Sequence, residues 1–218
     1  MKFDNGKDII NFSIPENYKK IGIKLSGGAD SALVAFMLTE IVKKERPDLV
    51  IHPISCNAST KPYQSIFATK IVKVIEENTG IKFAKHYIGT ARTDDSLPVE
   101  TYANDQTKFV NSLKEAGLID STISGITQNP PLEVHEKFGV DGPIDNRTTE
   151  KTYVRKSLNS WVPLINTDKK GVAGFYKKYN LDWLFFETRS CEQHTTNFTN
   201  HCGVCWFCQE RKWGFGCL

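Results

Sequence analysis

The sequence predicts an α/β fold, a doubly wound and mainly parallel sheet of five strands flanked by helices. Three observations predict it. Short apolar runs alternate with segments of helical period from residue 21 onward. A Gly-rich hexapeptide, Ser26-Gly27-Gly28-Ala29-Asp30-Ser31, joins the first apolar run to the first helical segment. The 218 residues are 39% hydrophobic and 24% charged, enough to bury a sizeable core without disulfides.

The elements follow in order. Ile21–Leu25 is a short apolar run, expected as the first buried strand. Ala32–Lys43 places Leu33, Phe36, Met37 and Ile41 at helical spacing. Leu49–Cys56 reads as the second strand. Pro62–Asn78 reads as the second helix, with Pro62 near its first turn and Gly80 where a helix stop belongs. Ile81–Ile88 alternates apolar and polar and is expected as the third strand. Ala91–Glu100 is loop-like, Thr101–Gly117 is a helix and Ser121–Thr127 a fourth strand. Gln128–Ser160 is rich in Pro, Asn and Thr and shows little periodicity; a loop of that length belongs to function or disorder. Trp161–Ile165 is a short apolar segment. Thr167–Asn180 is helical with Thr167 or Asp168 as its cap, and Leu181–Phe186 is expected as the fifth strand.

Composition excludes several classes. A net charge of +3 is too weak to imply nucleic-acid binding by charge alone. No apolar run approaches the roughly 18 residues of a membrane helix. Met1–Tyr18 is polar and has no signal-peptide core, so a cytoplasmic protein is expected. Aromatic residues at 11% argue against a disordered chain.

The hexapeptide has a physical logic. A helix N-terminus offers unpaired backbone N–H groups and the positive end of the helix dipole, and phosphates bind there. Gly27 and Gly28 let the backbone turn and approach a ligand closely. Ser26 and Ser31 add hydroxyl groups. The Asp30 carboxylate repels phosphate unless a cation intervenes, which points to Mg²⁺. A simple helix-capping turn is the bland alternative. The Lys of a Walker loop and the spacing of a dinucleotide fingerprint are both missing.

Five of the six cysteines crowd the C-terminal end. Cys191, Cys202, Cys205 and Cys208 have the spacing C-x10-C-x2-C-x2-C, which suits a closed tetrahedral Zn²⁺ site. An iron–sulfur cluster and redox chemistry at one CxxC pair remain open. His194 and His201 stand near enough in sequence to replace one thiolate. Cys217 reads as spare, and Cys56 as a small buried hydrophobe. The expected division is 1–188, a nucleotide-binding α/β domain, and 189–218, a zinc-binding lobe.

The hexapeptide resembles SGGxDS, the pyrophosphate loop of the PP-loop ATP pyrophosphatase superfamily, whose fold is the adenine nucleotide alpha hydrolase-like one. That resemblance implies cleavage of ATP between its α and β phosphates. It implies phosphate and metal binding by Ser26, Gly27, Gly28, Ala29, Asp30 and Ser31, with Ser26, Asp30 and Ser31 serving catalysis. It places adenine across the strand ends near Lys24, Leu25, Ser55 and Cys56. The pairing of this loop with Thr188–Cys191 and with Cys202-Gly203-Val204-Cys205-Trp206-Phe207-Cys208-Gln209-Glu210-Arg211 is more particular. It is similar to the 7-cyano-7-deazaguanine synthase (QueC/ExsB) family, with its CGxCxxCxxR ending. The family implies an ATP-dependent carbon–nitrogen ligase that turns 7-carboxy-7-deazaguanine into the amide and nitrile with ammonia. The implied cofactors are ATP, Mg²⁺ and Zn²⁺. The family's YPDC-type segment is missing; Ser124–Val134 stands in its place, so the acid-binding wall differs.

Electrostatic stabilisation of phosphorus needs a basic side chain, and Lys24, Lys169, Lys170 and Arg189 are the candidates, with Arg189 foremost. Two other functions stay open. One is a PP-loop enzyme acting on another acid or on tRNA. The other is a non-catalytic nucleotide-binding module whose zinc lobe is an interaction surface, with Trp206, Phe207 and Trp213 stacking on bases or packing the lobe. The partners are then a small acid, an ammonia source and a second copy of the chain in a homodimer; nucleic acid is less favoured and no membrane is expected.

Overall fold

The computed structural model describes residues 1–58, 63–92, 100–139, 154–155, 159–191 and 200–218. A six-stranded sheet forms its centre, and five of the strands are parallel. The first two strands, β1 (Lys2–Asp4) and β2 (Ile9–Asn11), lie outside it as an antiparallel hairpin. The central strands are β3 (Lys20–Lys24), β4 (Val50–Ala58), β5 (Tyr87–Ala91), β6 (Ser121–Ser124), β7 (Val154–Arg155) and β8 (Ser160–Trp161). Their order across the sheet is β5-β4-β3-β6-β8-β7, with only β7 antiparallel to its neighbour.

Helices α1 (Ala29–Lys44), α2 (Gln64–Thr79) and α3 (Glu100–Glu115) connect the strands. Alternation along the strands divides the core between the two faces. Ile21, Ile23 and Ile51 pack with α1 and α2, while Ile54 packs with Val110 and Leu113 of α3. Helices therefore cover both faces, as the alternating sequence pattern predicts. Gly80 stops α2 in the left-handed conformation, φ +76°, and its N–H donates to Glu76 C=O.

The rest comprises α4 (Leu132–Lys137), α5 (Lys169–Lys178), α6 (Asp182–Phe185) and α7 (Trp206–Phe215). Asp168 caps α5 by accepting the Gly171 N–H at 2.8 Å. The loop expected at Ala91–Glu100 falls mostly outside the described residues, as do Pro62, His194 and much of Gln128–Ser160.

Two expectations are corrected. Leu181–Phe186 is not the fifth strand: it forms α6, which follows Asn180 in the left-handed conformation. Leu181, Leu184 and Phe185 are buried while Asp182 and Phe186 are exposed, which is the spacing of one helical turn. The fifth parallel strand is β8, at the start of the short apolar segment Trp161–Ile165. The third strand begins only at Tyr87, because Ile81–His86 approaches β4 outside the ladder, with Ala84 N–H donating to Ile51 C=O.

The N-terminal hairpin was not foreseen. Asn5 organises its turn, with Oδ1 accepting from the Lys7 and Asp8 amides. Phe3, Ile10, Phe12 and Ile14 enter the main core. Asn5 Nδ2 also donates to Gly171 C=O at 2.8 Å, fastening the hairpin to α5.

Candidate functional site

The strand order creates the site. Chain order reverses between β3 and β6, so their carboxyl ends diverge into opposite connections, and ligands of open α/β sheets bind at such points. Lys24 and Ser124 pair at those ends. Ser26–Ser31 follows β3 directly and runs into α1.

The loop is held from every side. Leu25 N–H donates to Ile54 C=O, and Ser55 Oγ donates back to Leu25 C=O at 2.7 Å. Arg189 N–H donates to Gly27 C=O at 2.8 Å, and the buried Tyr176 hydroxyl donates to Ala29 C=O at 2.8 Å. Ser31 Oγ donates to Gly28 C=O at 3.1 Å and stands 3.3 Å from Ser26 Oγ. Gly27 has φ +84°, and a Cβ there would meet Phe67 Cβ at 2.3 Å, so only glycine fits. Gly125, just beyond β6, lets that connection back directly onto the first turn of α1, where a Cβ would lie 2.6 Å from Ser31 N. The Ala29, Asp30 and Ser31 amides precede the first intrahelical bond, Ala32 N–H to Gly28 C=O. Fixed donors at a helix start are an anion site that needs little reorganisation.

A cleft opens beside this loop. Ser26, Gly28, Asp30, Lys169, Arg189, Ser190, Cys191 and Glu210 line it, with Tyr63, Gln64 and Phe207. Lys169 is only 4% exposed and Glu210 3%. Lys169 Nζ contacts Asp30 Oδ2 and lies 3.2 Å from Glu210 Oε2. Burial alone would lower the Lys169 pKa; the two carboxylates outweigh it and hold the value above the ordinary lysine range. Asp30 Oδ1 is buried with no hydrogen-bond partner among the described residues. A buried carboxylate oxygen of that kind is a fit for a cation such as Mg²⁺.

Of the basic candidates, Lys169 meets the loop by its side chain. Arg189 meets it by its backbone. Its guanidinium lies 4.4 Å from the Tyr63 ring centroid and donates to Cys191 C=O. Lys170 lies over the Trp213 ring instead. Lys24 ends β3 and is half-buried.

Leu25, Ser55 and Cys56 are buried behind the loop and do not line the cleft. Ser55 gives its proton to Leu25, so its oxygen accepts from His86 Nε2–H at 2.8 Å. Burial pulls the His86 pKa below the ordinary value, which keeps that ring neutral. Burial also pushes the Cys56 thiol up, reinforced by Asp105, so it is a poor nucleophile.

The cysteine cluster adjoins the cleft through Cys191. The four sulfurs of Cys191, Cys202, Cys205 and Cys208 all lie within 4.8 Å of one another. Sharing one tetrahedral Zn²⁺ at about 2.3 Å would put them about 3.8 Å apart, so the set fits a single ion. The Cys205 amide donates to Cys202 Sγ and the Cys202 amide to Cys191 Sγ, as suits thiolates. The Cys208 thiol is pushed far up, first by its hydrogen bond with Cys205, then by burial and the other sulfurs. Four thiolates this close need a cation. Cys205 occupies the N-cap position of α7 and Cys208 sits in its first turn, where the helix dipole favours negative sulfur.

Arg211, three residues after Cys208, is 1% exposed. It donates to Thr188 Oγ1 at 2.8 Å, Ser190 Oγ at 3.1 Å and Phe185 C=O at 3.2 Å. The final arginine of CGxCxxCxxR thus holds the segment that delivers both Arg189 and Cys191. Trp206 is 3% exposed and packs against His135 and Phe138, so the α4 region covers this side of the lobe. That burial leaves Trp206 without a face for base stacking. Glu210, Ser190, Gln64 and Tyr63 were not among the sequence candidates. For Glu210 a signal existed, since it follows Cys208 by two residues in a helix that the lobe must fold around.

No helix among the described residues is long and apolar enough to cross a membrane. No family model matches the chain. No curated protein sequence matches it. Among solved structures it is similar to the U34-tRNA thiolase NcsA from Methanococcus maripaludis with its [4Fe-4S] cluster, at 18% identity and a TM-score of 0.49. That likeness covers 75% of this chain and 57% of the other, so the chain spans less than two thirds of the thiolase. A likeness so distant says nothing about chemistry.

Proposed function

We propose that this chain is a PP-loop enzyme that activates an acid by adenylation and passes the acyl group to ammonia. The observation that carries the reading is the clamped Ser26–Ser31 loop, with the partnerless Asp30 Oδ1 beside Lys169 in one cleft. A plain capping turn has no use for a buried lysine from a distant helix or for an unsatisfied carboxylate oxygen.

The reaction has two steps. An oxygen of the acid attacks the α phosphorus, the α–β P–O bond breaks, and pyrophosphate leaves. Ammonia then forms a C–N bond at the acyl carbon, the C–O bond to AMP breaks, and the nitrogen releases a proton to solvent as AMP departs. The amides at the start of α1 bind phosphate oxygens, and Lys169 and the loop hydroxyls compensate charge as the phosphorus becomes five-coordinate. Asp30 would hold Mg²⁺, which would supply positive charge against the phosphates. Zn²⁺ is the metal we assign to the four cysteines. The close approach of their sulfurs supports it, because the thiolates of a four-iron cluster each hold a different iron and stand farther apart.

The finer reading, a 7-carboxy-7-deazaguanine substrate, is supported by the CGxCxxCxxR ending and by its arginine's hold on Thr188–Cys191. The enzyme would then dehydrate the amide by a second adenylation, giving the nitrile. Mass spectrometry after incubation with Mg-ATP, ammonium and 7-carboxy-7-deazaguanine tests it. Amide or nitrile formed with AMP supports the reading. Nucleotide turnover with a different acid, and none with this one, removes only the substrate.

A further inference from the structure

We propose that Glu210 is a positioning residue that sets how strongly Asp30 attracts a divalent cation. The proposal rests on the nucleotide reading above. Glu210 and Asp30 come from α7 and the first turn of α1, and Lys169 stands between them. An Asp30–Lys169 pair would already be neutral, so a second buried carboxylate is not needed to satisfy the ammonium. Glu210 gives the trio a net charge of −1 and draws on the same ammonium, so Asp30 keeps more of its own charge for a cation. Without Glu210, a cation would compete against a lysine whose sole carboxylate partner is Asp30. A unit charge a few ångströms from a divalent ion, with little water between, changes affinity by about tenfold or more. Glu210 follows Cys208 by two residues on the same helix. Whatever orders the cysteine cluster therefore orders this carboxylate, and the metal lobe acts on the phosphate loop through it.

The test is a Mg²⁺ titration of the binding of a fluorescent ATP analogue, with zinc content and melting temperature measured alongside. E210Q should raise the Mg²⁺ concentration at half-maximal binding by about tenfold, while E210D, which keeps the charge, should stay within about threefold of the unmodified protein. The K169M/E210Q double variant restores a net charge of −1; because Lys169 also faces the phosphates, it and E210Q are compared by titration with Mn²⁺ alone, without nucleotide, where the double variant should recover the unmodified midpoint within about threefold, an outcome a purely structural role would not produce. Equal midpoints for E210Q and the unmodified protein would overturn the proposal. So would a double variant as displaced as E210Q, and that comparison with the unmodified protein decides the matter if E210Q does not fold. An unmodified protein that binds no nucleotide at any Mg²⁺ concentration overturns the nucleotide reading, and this proposal with it.

Discussion

Asp30 joins the Ser26–Ser31 loop to the buried Lys169. One oxygen is engaged by Lys169 and the other is buried without a partner among the described residues. Asp30→Ala should lower turnover at least about a hundredfold, as loss of a charge that acts in the transition state does. Circular dichroism and zinc content should not change, because Lys169 keeps Glu210 as a partner. His86 makes a second prediction. Its folded pKa lies below the unfolded value of 6.5, so the unfolded chain binds more protons as pH falls. Its stabilising contribution is complete above pH 6.5 and is lost as pH drops below that value toward the folded pKa. His86→Gln can still donate to Ser55, and its melting temperature should depend less on pH than that of the unmodified protein below 6.5. Parallel melting curves for the two would contradict this. The loop residues were legible because a strand–turn–helix junction with two glycines and two hydroxyls has few other uses. Glu210 and Ser190 were not, because their place in the cleft depends on how α7 docks against α5 and on the Thr188–Cys191 segment.

Two elements carry the cysteine lobe. α7 begins at the sulfurs and ends against α5, and its Arg211 ties Thr188 and Ser190 to the lobe. Lysine cannot reproduce a guanidinium fork. Arg211→Lys should therefore destabilise the protein by about 2–4 kcal/mol in urea unfolding, the cost of two or three charged hydrogen bonds left unmade. Cys205→Ser should lose bound zinc and most soluble expression together, because structural zinc contributes directly to folding. Elemental analysis finding iron and sulfide in the unmodified protein would reassign the site. The elements also show where sequence reading runs out. LDWLFF is too short for periodicity to separate strand from helix, and Asn180 in the left-handed conformation settled it as a helix. The N-terminal hairpin had a usable cue in Asn5-Gly6, a turn dipeptide with apolar residues on both sides. Its polar composition concealed that every apolar side chain but Ile9 is at least partly buried.

At the scale of the whole molecule, the alternating apolar and helical segments were sufficient to foresee a parallel sheet with helices on both faces. They did not give its strand order, which depends on long-range pairing. That order puts the reversal point between β3 and β6, with Ser26–Ser31 at its mouth and the cysteine cluster closing one side. In the proposed function this mouth splits ATP between its α and β phosphates, and the fate of the nucleotide is the decisive observation. The zinc-loaded protein is incubated with Mg-ATP, ammonium and 7-carboxy-7-deazaguanine, and phosphorus NMR follows the nucleotide. AMP and pyrophosphate should form in equal amounts, and only when the acid is present. Intact ATP, in a sample whose zinc content and fold are verified and which binds no nucleotide, would contradict it.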